Sequence, residues 1–373
     1  MPKSSKHPVR SLVVNAALVA VAFGLLGLAV WQNQDQIRSV LSRRLDLRLF
    51  AAAIGVYMVG ISLSFFRWYS LVRVIEPRFT IGQAFLLGFI GNVFNLVIPG
   101  AVGGDFIKAA YLVRMDINRT QAVASMVIDR ILGLLGLFFL AGVAGAVAWP
   151  MASQQVKVLI VLAWAASGCG LIVLFMIFNQ SLTRAFPSLL ERHNRVSGVL
   201  HELKVMSSTY RRRLDLVAAC LFGSMVIHTM MVLGFYTVSR AIFPVKLPGF
   251  GQHLLIVPLT LFTTAVPLPF GALGLSEQVS SQLFELVRHP GGALAMMGFR
   301  VLMYAGGLVA AGVYLANIRQ VRSLTETAEE LKAELVENDL GPDPPSPDDR
   351  DASEDDDLLA IHPKTDQPED EQR

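Results

Sequence analysis

Long apolar runs, separated by short polar segments, make up most of this chain. A run of about 18 residues or more with almost no charge is long enough to cross the hydrocarbon core of a bilayer as a helix. Arg67, Trp68 and Tyr69 follow one such run and are typical of the aromatic and basic belt at a membrane surface. We predict six full transmembrane helices, at residues 11–31, 49–66, 122–149, 156–178, 214–238 and 293–315.

Two further apolar runs, residues 81–98 and 254–268, continue differently. Each leads into a glycine-rich motif and then into a short apolar return, at residues 106–113 and 278–287. The first motif reads Pro99-Gly100-Ala101-Val102-Gly103-Gly104-Asp105. The second reads Pro269-Phe270-Gly271-Ala272-Leu273-Gly274-Leu275-Ser276-Glu277.

The two motifs indicate an internal repeat. Gly100 and Gly271 lie 171 residues apart, and the arginines that follow the motifs, Arg130 and Arg300, lie 170 residues apart. A nearly constant offset over several matching positions is the sequence signature of a repeat. We therefore predict two repeats, at about residues 11–149 and 156–316.

Charges in the connecting segments predict how the chain threads the membrane. Basic residues favour the cytoplasmic side, which assigns residues 1–10, 184–213 and 319–322 to that side. Six crossings meet these assignments if each motif region is a re-entrant hairpin, the first entering from the inside and the second from the outside. The alternative of eight full crossings needs longer returns, because residues 106–113 span only about 12 Å as a helix. The sequence thus predicts an all-α polytopic membrane protein with two inverted structural repeats.

The acidic residues are concentrated near the C-terminus. Residues 323–373 carry 18 acidic and 4 basic side chains, whereas the preceding residues have a net charge of +17. We predict a membrane domain over residues 1–322 and an acidic, mostly disordered cytoplasmic tail over 323–373. A basic membrane domain favours anionic lipid headgroups, rather than nucleic acid, as the partner. The tail is a candidate binding segment for a protein partner.

The motifs have the residue types of tight turns between helices. Proline stops the entering helix, and glycine permits a tight turn and a close backbone approach. We assign the turns to Pro99, Gly100, Pro269, Gly271 and Gly274. The helix that starts after each turn points free backbone N–H groups toward it, which suits a phosphate near Gly103 and Gly104. A packing turn that binds nothing is the alternative.

The charged residues near the motifs are the candidate ligand-binding groups. We expect Arg130 and Arg300 to face a carboxylate or a lipid phosphate, because unpaired arginine is costly at membrane depth. Lys108 lies one turn after Asp105 and joins the same cluster. Asp105 and Glu277 cap helix N–H groups, pair with the arginines or carry a coupling proton. We expect Asp129 only to neutralise Arg130, and Gly133, Gly136, Gly142 and Gly145 to form a helix-packing face.

Sequence signatures of soluble enzymes are missing. The chain has no Walker sequence, no HExxH and no nucleophile elbow, and Cys169 and Cys220 both fall within apolar runs. We predict no catalytic residue, no metal site and no cofactor. A transporter is therefore favoured over an enzyme, whose active site would have to be built within the membrane.

The motifs, together with Lys108 and Asp129-Arg130-Ile131, resemble the lysylphosphatidylglycerol synthase transmembrane-region family, also called the flippase-like domain family. The resemblance covers roughly residues 10 to 320. It implies a multi-pass protein of the bacterial inner membrane, with both termini cytoplasmic, that handles a phospholipid or a polyprenyl-phosphate lipid. The family's soluble aminoacyl-transfer domain has no counterpart in the acidic tail, so we do not carry over the synthase activity. Lys108 stands where we expect an arginine, which weakens bidentate phosphate binding there.

Three functions follow as hypotheses. The leading one is an inner-membrane translocase for an anionic or polyprenyl-phosphate lipid, with a phosphate held by Arg130, Arg300 and Lys108. The second is a membrane glycosyltransferase, or an accessory to one, that acts on a lipid-linked sugar. The third is a non-catalytic membrane scaffold that recruits a partner through its tail.

Overall fold

The computed structural model of this chain describes residues 23–32, 34–42, 45–97, 103–178, 208–243, 247–266 and 268–318. These residues form helices and turns, with no strand among them. The helices are α1 (Phe23–Gln32), α2 (Gln34–Leu41), α3 (Leu47–Ile75), α4 (Ile81–Val97), α5 (Gly103–Arg114), α6 (Arg119–Ala148), α7 (Gln154–Phe178), α8 (Leu214–Ile242), α9 (Phe250–Phe262), α10 (Pro269–Ala272), α11 (Leu275–Leu286) and α12 (Gly292–Ala316).

Five of these helices, α3, α6, α7, α8 and α12, are long and apolar enough to cross a membrane. They coincide with five of the six predicted spans, so the prediction of a multi-pass helical membrane protein is confirmed. Most of the sixth predicted span, residues 11–31, lies outside the described residues, as do Pro99, Gly100, residues 179–207 and the tail at 323–373. The number of crossings and the inverted repeats remain predictions.

Local signals explain where the long helices begin and end. Asp46 caps α3, because its carboxylate accepts hydrogen bonds from the amides of Arg48 and Leu49. Asn118 caps α6 in the same way, by accepting from the amide of Thr120. Helix α3 ends before Pro77, which has no backbone N–H to continue the helical bonding.

Helix α3 runs beyond the predicted span and includes residues 67–69, which the sequence assigns to an interfacial belt. Trp68 is 1% exposed and stacks edge-on against Phe79. Arg67 has a side chain only 9% exposed. Both residues are buried by contacts with other helices and loops, although hydropathy alone places the end of a membrane segment at this point.

The centre of the molecule is the packing of α3 against α8, which are in contact along much of their lengths. Small residues on α6 let other helices approach it closely, as predicted. A Cβ on Gly136 would lie 2.4 Å from Ser224 Cβ of α8, and a Cβ on Gly145 would lie 2.5 Å from Ile160 of α7. Gly142 faces the ring of Trp164 in α7, whereas Gly133 faces the guanidinium of Arg67.

A long helix, two shorter helices and a second long helix follow one another in both halves, apart from the four-residue α10 in the second half. Helices α3 to α6 contain 29, 17, 12 and 30 residues, and α8, α9, α11 and α12 contain 29, 13, 12 and 25. Helix α5 is about 18 Å long, well short of the roughly 30 Å hydrocarbon core of a bilayer. It packs on α4, and α11 packs on α9 and α12.

The close contact between α4 and α5 requires glycine at position 104, and a prediction about stability follows from this. A Cβ at Gly104 would lie 2.2 Å from the carbonyl oxygen of Gly91, a backbone atom that cannot rotate away. We expect Gly104→Ala to destabilise the protein by about 1–3 kcal/mol, the usual cost of overpacking. The measurement is the melting temperature of the detergent-purified protein.

The matched control is Gly82→Ala in α4, where a Cβ would meet no atom within 4 Å. This variant should melt at or above the wild-type temperature, since alanine favours helix more than glycine does. Equal melting temperatures for the two variants would contradict the close α4–α5 approach.

Candidate functional site

A cavity of about 350 Å³ lies between α3, α6, α8, α9 and α12. Most of its wall is apolar and includes Tyr57, Leu137, Ile227, Met231, Phe299 and Met303. Its polar lining consists of Arg67, Arg130, His228, Ser64 and Thr264. An apolar cavity with a few convergent polar groups is the usual form of a ligand site.

Arg130 belongs to the first of two arginine–carboxylate clusters. Its Nε donates to Oδ2 of Asp105 at 2.5 Å, which joins α6 to the first turn of α5. Lys108 Nζ lies 3.9 Å from Oδ1 of the same carboxylate and 4.9 Å from the ring centre of Trp68. The Arg130 side chain is 41% exposed and also lines the cavity. Of this cluster, the Arg130 side chain is thus accessible to a ligand from the cavity.

Arg300 and Glu277 form the second cluster, which is closed. Nε and Nη2 of Arg300 donate to the two carboxylate oxygens of Glu277 at 2.6 and 3.1 Å, and Nη1 donates to the carbonyl of Phe270 at 2.6 Å. The two side chains are 4% and 0% exposed. Glu277 also accepts from the amide of Gly274 at 2.7 Å. Glu277 therefore has two roles at the same time: it caps the N-terminus of its helix, and it pairs with Arg300.

The second motif turn has an unusual backbone that this cluster stabilises. Phe270 and Ala272 have φ values of 57° and 54°, a conformation that is sterically unfavourable for residues other than glycine. Gly274 has a φ of 83°. Arg300 holds the carbonyl of Phe270, and Glu277 holds the amide of Gly274. Pro269 and Gly271 lie in α10, within the same turn. Helix α1 covers the turn, since Phe23 packs edge-on against Phe270.

The helix starts are less open than the sequence predicts. The amide of Gly104 donates to Oδ1 of Asn95 at 2.9 Å, and the amide of Gly274 is held by Glu277. Gly103 and Gly104 are both buried at the start of α5. Two of the amides that we expected to be free for phosphate are therefore already bonded, because side chains of the protein itself cap them.

Sequence reasoning missed Arg67 and assigned Asp129 to the wrong partner. Arg67 of α3 makes a bidentate ion pair with Asp129 of α6, with N–O distances of 2.8 and 3.0 Å, and its Nη1 donates to Ser224 Oγ at 2.7 Å. Asp129 thus neutralises Arg67 and not Arg130, its neighbour in sequence. Adjacent residues of a helix point in different directions, so sequence proximity is a poor guide to pairing.

Comparison with known families gives a match over residues 13–312 to the family model described as "Lysylphosphatidylglycerol synthase TM region". Among curated proteins, the chain is 33% identical over 138 residues to "Glycosyltransferase AglD" of Haloferax volcanii. The aligned part covers 36% of this chain and 21% of AglD, so the chain spans about a fifth of the length of that relative.

The closed cluster gives a prediction about stability. Removing one partner of a buried ion pair leaves an uncompensated charge, which typically costs about 3–5 kcal/mol. We expect Arg300→Met to lower the melting temperature strongly and the double variant Arg300→Met/Glu277→Gln to recover part of the loss, since a neutral glutamine still accepts from the Gly274 amide.

Arg213→Ala is the control for this series, because Arg213 pairs with Asp215 on the surface, with side chains 55% and 74% exposed. This change should have almost no effect. A double variant no more stable than Arg300→Met alone would show that charge compensation is not what holds this turn.

Proposed function

Because this chain belongs to the lysylphosphatidylglycerol synthase transmembrane-region family, we propose that it is a lipid translocase whose transport site is the cavity between α3, α6, α8, α9 and α12. The observation that carries the proposal is Arg130, which pairs with Asp105, has a side chain 41% exposed and lines a mostly apolar cavity. An amphiphile with an anionic headgroup and apolar chains matches such a lining.

Arg130 is the main phosphate contact in this proposal. A guanidinium binds phosphate oxygens through paired N–H groups, and its charge is worth most where water is excluded. Asp105 fixes the orientation of Arg130 and holds Lys108 near it. Gly104, beside Gly103 at the start of α5, contributes by allowing α5 to lie close to α4, which keeps Asp105 in place.

Arg300 and Glu277 have a different role in the state that the structure represents. Both are buried, and three nitrogens of Arg300 are bonded within the protein. We assign them to holding the second turn, with contact to a lipid phosphate reserved for another state of the transport cycle.

An inverted repeat gives this second state a physical basis. The matching order of helix lengths in the two halves supports the repeat, and the two clusters differ in exposure, one open and one closed. Exchanging the conformations of the two repeats opens Arg300–Glu277 and closes Arg130–Asp105, which is alternating access. In this proposal the protein lies in the inner membrane with both termini cytoplasmic, and the substrate is an anionic phospholipid or a polyprenyl phosphate.

Lipid movement in liposomes tests the proposal. The purified protein is reconstituted with a fluorescent phosphatidylglycerol, and the fraction of label accessible to an external quencher is followed over time. We expect wild-type protein to move the lipid and Arg130→Ala to slow it at least about tenfold, the loss expected from one charge-assisted hydrogen bond.

Arg240→Ala is the matched control, since Arg240 is an exposed arginine that stacks on Tyr236 away from the cavity. It should leave the rate unchanged. Wild-type protein that moves neither phosphatidylglycerol nor a polyprenyl phosphate would overturn the translocase proposal.

A second candidate function is a membrane glycosyltransferase acting on a lipid-linked sugar, and the local similarity to AglD favours it. Of the two motif carboxylates, Asp105 is the accessible one, at 16% exposure against 0% for Glu277. Sugar transfer to a polyprenyl phosphate by purified protein, lost in Asp105→Asn, would support this function over transport.

A further inference from the structure

We propose that Arg67 is a second anion-binding residue of the cavity and that the site selects a lipid with a singly charged phosphodiester. The inference rests on the proposed function, since it concerns the same cavity. Arg67 lies outside both motifs, and its contribution comes from the way in which three helices hold its side chain.

The Arg67 guanidinium is clamped in one orientation. It extends from α3, forms the bidentate pair with Asp129 of α6 and donates to Ser224 Oγ of α8. Its side chain is 9% exposed and yet lines the cavity. A side chain already fixed by its neighbours loses little conformational freedom when a ligand binds, which favours affinity.

The clamp leaves donors for a ligand. A guanidinium has five N–H groups, and the contacts of Arg67 within the described residues use three of them. The remaining two belong to Nη1 and Nη2. These are the atoms nearest to Gly133, where a Cβ would lie 3.4 Å from each. Glycine at this position leaves that end of the guanidinium uncovered.

Arg67 and Arg130 therefore approach the same part of the cavity. Arg130 and Gly133 are three residues apart on α6, so they lie on one face of the helix, about one turn apart. Both line the cavity, together with Arg67. A phosphate in this part of the cavity therefore has both arginine side chains in the wall around it.

The formal charges of this region determine which phosphate fits. Among the residues that the structure describes, Arg67, Arg130 and Lys108 are offset by Asp105 and Asp129, which leaves a formal net charge of +1. Uncompensated charge is costly beside a mostly apolar wall, so a ligand with one negative charge fits best. A phosphodiester carries one negative charge, whereas a phosphomonoester carries about 1.5 to 2 near neutral pH. The site therefore favours phosphodiester lipids over lipid phosphomonoesters and diphosphates, which narrows the two substrates of the proposed function to the anionic phospholipid.

Binding of short-chain lipids to the detergent-purified full chain tests the inference without requiring transport. The probes are dioctanoyl phosphatidylglycerol, a phosphodiester, and dioctanoyl phosphatidic acid, a phosphomonoester. The apparent Kd is obtained from the rise in melting temperature with lipid concentration. We expect wild-type protein to bind phosphatidylglycerol about tenfold more tightly than phosphatidic acid.

Two variants test Arg67 in different ways. Gly133→Val places a branched side chain over the exposed end of the guanidinium while leaving the Arg67–Asp129 pair in place. Arg67→Met/Asp129→Asn removes both charges together and so avoids a buried unpaired aspartate. Each should weaken binding of phosphatidylglycerol about tenfold, as expected for loss of one charge-assisted hydrogen bond. Gly223→Val is the control, because a Cβ at Gly223 meets no atom within 4 Å.

The outcomes separate this inference from the proposed function. Wild-type affinity for phosphatidylglycerol in both Gly133→Val and Arg67→Met/Asp129→Asn would overturn the role of Arg67. Equal or tighter binding of phosphatidic acid by wild-type protein would overturn the charge selection. Arg67-dependent binding without lipid movement in liposomes would leave the binding site standing and reject the translocase.

Discussion

Charge compensation at membrane depth is the constraint on which the rest of this structure depends. An arginine within apolar helices is costly without a partner, and here Arg67, Arg130 and Arg300 each pair with a carboxylate on another helix. These pairs fix the lateral positions of the helices more specifically than apolar packing does. The Arg300–Glu277 pair also holds a turn whose backbone conformation side chains disfavour.

The difference between the two motif clusters is the starting point of the proposed transport cycle. A fully buried pair stabilises a turn, whereas a pair with an exposed arginine is accessible to a ligand. Both clusters pair an arginine with a carboxylate of a motif, and they differ in exposure. In the proposed alternating access, one half moves against the other and the exposure of the two clusters is exchanged.

Much of the fold was predictable, because a long apolar run crosses a bilayer as an α-helix. The five long helices and the partners of Arg130 and Arg300 follow from hydropathy and from the cost of unpaired charge. Arg67 was not predictable, because it lies next to Trp68 and Tyr69 in a pattern typical of a membrane surface. Its role depends on Asp129 and Ser224, which come from two other helices. The bonded amide of Gly104 was missed for the same reason, since its acceptor, Asn95, lies on α4, whereas Glu277 was among the capping candidates from the sequence.

The location of a bound lipid headgroup shows most directly whether the cavity between α3, α6, α8, α9 and α12 is the lipid-binding site. A phosphatidylglycerol carrying a diazirine in its headgroup is photolysed with the protein in liposomes, and the labelled peptides are identified by mass spectrometry. We predict label on the cavity-lining segments of α6 and α12, near Leu134 and Met303. Label confined to outward-facing positions such as Phe222 and Leu308, which are 68% and 76% exposed, would contradict it.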